Sequence, residues 1–153
     1  MLRTEKAIYL SGGISMKTKV AINGFGRIGR MAFRIISDRS DLEVVGINDL
    51  TDTKTLAHLL KHDTNYGRFS HEVTNDESSI IVDGVKIPVY AEKDPAALPW
   101  GDLQVDVVIE STGRFVTSET AGAHLKAGAK KVVLSAPSKD EETKTLVDRK
   151  SVV

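Results

Sequence analysis

The stretch Lys19-Val20-Ala21-Ile22-Asn23-Gly24-Phe25-Gly26-Arg27-Ile28-Gly29-Arg30 decides the fold. A short apolar run leads into Gly-x-Gly-x-x-Gly and then into a helical pattern, which is the layout of a dinucleotide-binding turn. Gly24 permits the tight turn, Gly26 lets the backbone approach a pyrophosphate, and Gly29 lets the new helix lie close against the strand. A pyrophosphate there would meet the unpaired N–H groups and positive dipole end of a helix starting near Arg27 and Ile28. Glycine turns also occur as plain strand-to-helix bends, so the context decides. A second apolar run at 42–47 ends in Asn48-Asp49, placing a carboxylate about 20 residues past Gly29, where a ribose-binding acid belongs. That carboxylate can accept hydrogen bonds from ribose hydroxyls and repels a 2′-phosphate, so NAD is expected over NADP.

Working outward, the pattern continues as strands alternating with helices. The first strand covers 20–23, and the helix after it carries Met31, Phe33, Ile35 and Ile36 and fades by 38–41. The near-continuous Val44-Val45-Gly46-Ile47 suggests a strand buried on both faces. Asp52 is placed to cap a helix whose Leu56, Leu59 and Leu60 repeat at helical spacing and which ends near 63–65. Residues 79–82, Asp83-Gly84 and residues 85–90 read as a β-hairpin, with Pro88 near a sheet edge. Asp94-Pro95 starts a short helical turn. A strand at 105–110 ends in Ser111-Thr112-Gly113, a helix spans 118–127 with Ser118 as cap and Gly128 as stop, and a strand at 131–135 ends in Ala136-Pro137. This alternation predicts an α/β fold: a doubly wound, mostly parallel sheet with helices on both faces and an inserted β-hairpin. Three strand ends, at 24–29, 48–49 and 111–113, then converge on one crevice, where small hydroxyl side chains can bond a cofactor without filling its space.

A length of 153 residues fits one well-cored domain. The 21 basic and 21 acidic residues cancel, so no overall field favours nucleic acid or an anionic membrane surface. Arg27, Arg30 and Arg34 are the best candidate for a local basic patch, and their i+3 and i+4 spacing is expected to make a solvated or phosphate-facing side of the first helix. No cysteine is present, which excludes disulfides, thiolate metal sites and thiol catalysis within the chain. His58, His62, His71 and His124 lack metal-ligand spacing and are expected to be surface or packing residues, and 139–144 to be a solvated charged segment. No apolar run is long enough to span a membrane, and the expectation is a cytoplasmic protein. Residues 1–16 carry no periodicity and read as an extension outside the fold, with Met16 as a natural start.

Taken together, Ile22-Asn23-Gly24-Phe25-Gly26-Arg27-Ile28-Gly29-Arg30, Asn48-Asp49-Leu50, Glu110-Ser111-Thr112-Gly113-Arg114-Phe115 and Ser135-Ala136-Pro137 resemble the N-terminal half of the phosphorylating glyceraldehyde-3-phosphate dehydrogenases. The resemblance covers about 19–147 and implies a Rossmann NAD-binding domain at 17–147. In the family a catalytic domain of similar size follows, and the whole assembles as a homotetramer. By matching motif, it implies that Gly24, Gly26, Arg27 and Ile28 lie on the pyrophosphate turn and Asp49 on the adenosine ribose. Leu50 and Phe115 would flank the adenine, Lys93 would give a backbone contact near it, and Thr112 and Ser135 would line the cleft towards the nicotinamide. The implied chemistry is aldehyde oxidation coupled to acyl-phosphate formation in glycolysis, through an active-site cysteine, a histidine and NAD.

The family's cysteine, in a Ser-Cys-Thr-Thr-Asn setting, has no counterpart here, and 148–153 depart from the Gly-Val-Asn pattern expected after Val147. A truncation or frameshift is the expectation, with no catalytic residue in the chain and NAD binding as its inherited activity. The alternatives are a standalone NAD-binding module and the same half of an erythrose-4-phosphate dehydrogenase.

Overall fold

The computed structural model describes residues 16–144. Apart from Met16, the expected N-terminal extension lies outside the described residues, as does the divergent tail at 148–153. The chain opens with β1 (Thr18–Asn23), α1 (Arg27–Ser37), β2 (Leu42–Asn48) and α2 (Thr53–Lys61). Two short strands, β3 (His62–Asp63) and β4 (Gly67–Arg68), pair with each other. Then come β5 (Val73–Asn75), β6 (Ser79–Val82), β7 (Val85–Tyr90), a 3-10 turn at Pro95–Ala97, β8 (Val107–Glu110), α3 (Ser118–Ala121), α4 (Ala123–Lys126) and β9 (Lys131–Leu134).

Seven strands form one sheet in the order β5-β6-β7-β2-β1-β8-β9. Pairing is parallel from β7 across to β9, whereas β6 runs antiparallel to both β5 and β7. The chain moves outward from β1 on one side and returns to β8 on the other, so the expected doubly wound sheet with its inserted hairpin is present.

Central position explains the apolar character of β1, since its neighbouring side chains serve opposite layers. Ile22 packs with Phe33, Ile47, Leu56, Leu60 and Ile80 on the side covered by α1 and α2. Ala21 packs with Leu98, Trp100, Val105, Val108 and Ala129 on the other. Edge-to-face contacts carry the first layer outward, with Phe25 and Phe33 at 5.7 Å and Phe33 and Phe69 at 6.3 Å between ring centroids.

Local chemistry sets the element ends largely as expected. The Asp52 carboxylate accepts from the Thr55 amide at 2.9 Å and caps α2. Asp83 and Gly84 both take positive φ, 49° and 81°, which a two-residue turn between right-twisted strands requires. Asp94 caps the proline-led 3-10 turn.

Several expectations are not met. Pro88 lies on an interior strand rather than near an edge, because β7 has β6 and β2 as neighbours. Its ring fits there because pairing with β2 begins only at Val89, whose amide faces the other way to the Ser78 carbonyl at 2.8 Å. Thr117, not Ser118, caps the helix after β8, in a reciprocal arrangement with Thr120, and Gly122 divides that helix into α3 and α4. The 139–144 segment is not simply solvated: the Asp140 carboxylate accepts the Ser118 and Thr143 amides and the Ser138 hydroxyl, and Glu142 accepts the Ser118 hydroxyl at 2.7 Å. These donors, the Ser118 amide first, hold the Asp140 carboxyl far below the usual carboxylate range. Of the basic string on α1, Arg34 faces inward instead: it donates to the carbonyls of Leu60 and Gly67 and lies 5.1 Å from the Phe69 ring. Of the apolar residues the first helix carries, Phe33 and Ile36 are buried, whereas Ile35 is 57% exposed.

His71 clasps three separate segments. Its Nδ1 meets Asp83 Oδ2 at 2.5 Å and its Nε2 meets Asp38 Oδ1 at 3.0 Å, tying the end of α1 to the hairpin turn. Asp38 and then Asp83 raise the His71 pKa above its ordinary value of about 6.5, and His71 in turn lowers that of Asp83. A raised folded-state value means that the stabilisation is complete below about pH 6.5 and fades as pH rises through the raised value. The depressed Asp83 value adds stabilisation that fades only in acid, as pH falls through that value. Urea unfolding at pH 5.5 and pH 8.5 should therefore show the native chain losing stability relative to His71→Gln at the higher pH. Parallel pH profiles for the two proteins would exclude a contribution from the clasp.

Candidate functional site

The carboxyl ends of β1, β2 and β8 open into a crevice of about 320 Å³, at the point where the strand order reverses. On its β1 side lies the glycine turn. Gly24 has a φ of +91°, and a Cβ there would come within 2.8 Å of the Thr112 amide nitrogen and 2.9 Å of the Ser111 carbonyl carbon. Close packing of that turn against the end of β8 therefore demands glycine. Gly26 differs, because its φ of −73° suits any residue and a Cβ on it would meet nothing within 4 Å. The space in front of Gly26 is open, it lines the crevice, and among the described residues no side chain caps the start of α1. An uncapped helix start behind an open glycine offers unpaired N–H groups to an anion.

On the β2 side, Asp49 is held ready. Its Oδ2 accepts the Phe25 amide at 2.8 Å and its Oδ1 accepts the Thr51 amide at 2.9 Å, while the Gly24 amide donates to the Asn48 carbonyl at 2.8 Å. Glycine turn and carboxylate are thus one hydrogen-bonded unit. Leu50, 53% exposed, and the half-buried Phe115 present apolar surface to the crevice from opposite sides, and Lys93 lines it from the loop after β7.

Under this rim runs a buried polar row. Asn23, Asn48 and Glu110 occupy the last positions of β1, β2 and β8 and are all at most 4% exposed. Asn48 donates to Asn23 Oδ1 at 2.7 Å, and Asn23 donates to Glu110 Oε2 at 2.6 Å. Asn48 also exchanges hydrogen bonds with the Glu92 backbone, 2.8 Å and 2.9 Å, which fixes the loop carrying Lys93. Burial pushes the Glu110 carboxyl up, but hydrogen bonds from His124, Thr112 and Asn23 outweigh it and hold the group below its ordinary value.

Among the sequence-derived candidates, the crevice brings together Gly24, Gly26, Asp49, Leu50, Lys93, Thr112 and Phe115. Arg27 and Ile28 form the exposed first turn of α1 beside the lining. Ser135 stands one strand away, just past β9, where its amide donates to the Glu110 carbonyl at 3.0 Å. The buried row was not anticipated as a unit, although a polar residue closing each of three apolar strands is its signature. His124 was grouped with the other histidines, yet it is fully buried and bonds Glu110 Oε2 at 2.6 Å. Among the described residues no cluster of three or more His, Asp or Glu side chains could hold a metal ion, and no helix is long and apolar enough to cross a membrane.

Residues 18–118 match the family model described as glyceraldehyde 3-phosphate dehydrogenase, NAD binding domain. The chain is 59% identical over 131 residues to a glyceraldehyde-3-phosphate dehydrogenase of Thermotoga maritima, covering 84% of this chain and 39% of that protein. A relative of the same description from Mycoplasma pneumoniae is 50% identical over 133 residues, covering 87% of this chain and 40% of the relative. Glyceraldehyde-3-phosphate dehydrogenase 1 of Bacillus cereus is 58% identical over 125 residues, covering 82% and 37% respectively. The chain thus spans about two fifths of the length of these curated relatives.

Proposed function

Because the chain belongs to the glyceraldehyde-3-phosphate dehydrogenase family, through that family's NAD-binding domain, we propose that its crevice holds NAD with the pyrophosphate on the glycine turn. The observation that carries this reading is the pairing of the open Gly26 and uncapped α1 with the Asp49 carboxylate fixed by Phe25 and Thr51. Amide donors meet the diphosphate at one end of this unit, and an acceptor pair meets the vicinal hydroxyls of a ribose at the other. The amides of Arg27 and Ile28 open the helix towards the diphosphate. The apolar sides of Leu50 and Phe115 give an adenine two surfaces to lie between, with the Lys93 backbone at its edge. Thr112 and Ser135 follow the cofactor towards its nicotinamide.

Bound NAD supplies a hydride acceptor. The residues of this chain bind and orient it, and they carry no cysteine to act on an aldehyde. In the same reading the whole protein couples aldehyde oxidation to acyl-phosphate formation, works in the cytoplasm and assembles as a homotetramer. Calorimetric titration of the purified chain, first checked for folding by circular dichroism, tests the cofactor assignment. Saturable binding of NAD, tighter than that of NADP, is expected. A folded chain that takes up neither would overturn it.

A further inference from the structure

Beneath Thr112 the buried row continues into the molecule through Glu110, His124 and Trp100, and every hydrogen in it can be assigned. The Trp100 indole N–H can only donate, and it meets His124 Nδ1 at 3.0 Å. That nitrogen must therefore be the acceptor, which leaves the His124 proton on Nε2, directed at Glu110 Oε2 2.6 Å away. Asn23 Nδ2 reaches the same oxygen at 2.6 Å, so Oε2 takes two donors. The other oxygen, Oε1, takes two more, the Thr112 amide at 3.0 Å and the Thr112 hydroxyl at 2.6 Å. Trp100 and His124 are fully buried and Glu110 is 2% exposed, so no water competes along this inner part of the row, and Thr112 carries its end to the exposed crevice wall.

The consequence falls on the crevice wall. A threonine hydroxyl has one hydrogen and two lone pairs. In Thr112 the hydrogen is committed inward to Glu110, and one lone pair takes the Arg114 amide at 3.1 Å. What remains towards the crevice is a single acceptor site. The neighbouring Ser111 hydroxyl is committed in the same sense, donating to the Gly24 carbonyl at 2.6 Å.

We propose that Trp100, His124 and Glu110 form a polarity relay that fixes the Thr112 hydroxyl as a hydrogen-bond acceptor towards the cofactor, so that the crevice selects a ligand group that donates there. Glu110 and His124 are its positioning residues, and neither touches the ligand. A ribose hydroxyl or a carboxamide N–H meets the requirement, whereas a carbonyl or phosphate oxygen at the same place does not. The relay rests on the cofactor reading above and deepens it by assigning the sense of one contact.

Replacing Glu110 with glutamine keeps the shape and reverses the polarity. With the amide oxygen facing His124 and Asn23, the amide NH₂ faces Thr112, whose hydroxyl must then accept it and turn its own hydrogen outward. Calorimetry with NAD on the full chain should show E110Q binding about tenfold more weakly. T112V should lose a similar factor, and E110Q in the T112V background should cost clearly less than in the native chain, because only the Thr112 amide, and no hydroxyl, is then left facing position 110. H124Q should bind within about threefold of the native chain, since a glutamine can accept from Trp100 and donate to Glu110 as the histidine does. Native binding by E110Q, or a tenfold loss that persists undiminished without the Thr112 hydroxyl, would overturn the relay alone. A native chain that does not bind NAD would overturn the cofactor reading and the relay's role with it. ¹⁵N chemical shifts of His124 give a check that needs no ligand: they should report the proton on Nε2, and a proton on Nδ1 would break the relay at its first link.

Discussion

Gly29→Ala should lower folding stability by about 3 kcal/mol, the upper end of what overpacking normally costs. A Cβ at this position would lie 2.2 Å from the Gly24 carbonyl oxygen and 3.1 Å from both Ile22 Cγ2 and Ser111 Oγ. The nearest of these is backbone and cannot rotate away. Gly24 is pinned by the hydrogen bond its N–H donates to the Asn48 carbonyl and by the Ser111 hydroxyl, which donates to the Gly24 carbonyl, and Ile22 is fully buried in β1. Relief would require α1 to move off the sheet, opening the Phe25 and Phe33 contact and the layer beneath. Equilibrium urea unfolding of both proteins measures the difference. A loss below about 1 kcal/mol would show that the helix can shift without cost, and that the close approach of α1 to β1 is not what demands glycine.

Asp49→Ala should weaken NAD binding by roughly 1–3 kcal/mol, which is about fivefold to 150-fold, through the loss of charge-assisted hydrogen bonds to the ribose. It should also narrow the preference for NAD over NADP, because the charge that repels a 2′-phosphate is gone. The substitution releases the Phe25 and Thr51 amides as well, so part of the loss reflects a looser glycine turn. Asp49→Asn separates the two effects, since an amide oxygen can still accept one of those amides while the charge is absent. Parallel titrations of the three proteins with NAD and NADP are the measurement. Unchanged affinity and selectivity in Asp49→Ala would remove Asp49 from the ribose contact.

Features governed by neighbours in the chain were legible from the sequence. The glycine turn, the hairpin at Asp83-Gly84 and the Asp52 cap each depend on residues a few positions apart, Asp49 closes β2 at a fixed spacing of about 20 residues from the turn, and each of these elements lies where expected. What escaped depends on partners far along the chain. Nothing near Asp140 indicates that it will receive the Ser118 amide, and nothing near Arg34 indicates that the Leu60 and Gly67 carbonyls will claim its guanidinium. Pro88 was misplaced because the edge rule concerns unpaired N–H positions, and an interior strand can supply one where its second neighbour has not yet begun to pair. His124 illustrates the limit most clearly: no local spacing marks it, and its importance lies in two partners, Glu110 on β8 and Trp100 in the loop before β8.

The position of β1 at the centre of the sheet also fixes the order in which the crevice can be assembled as the chain is synthesised. Asn23 meets Asn48 after 25 residues but meets Glu110 only after 87, and His124 stands 101 residues away. Closing the longer loop costs about 1 kcal/mol more in chain entropy than closing the shorter one, and it must wait for the later residues to leave the ribosome. The nascent chain can therefore form β1, α1 and β2, with Asp49 already on the glycine turn, while the opposite wall is still unmade. A chain arrested before Glu110 would carry the whole Gly-x-Gly-x-x-Gly motif with Asn23 held by Asn48 alone, its amide NH₂ still without the Glu110 carboxylate. Cofactor can act as a folding template only for the last step, the docking of β8 and the helices that follow it.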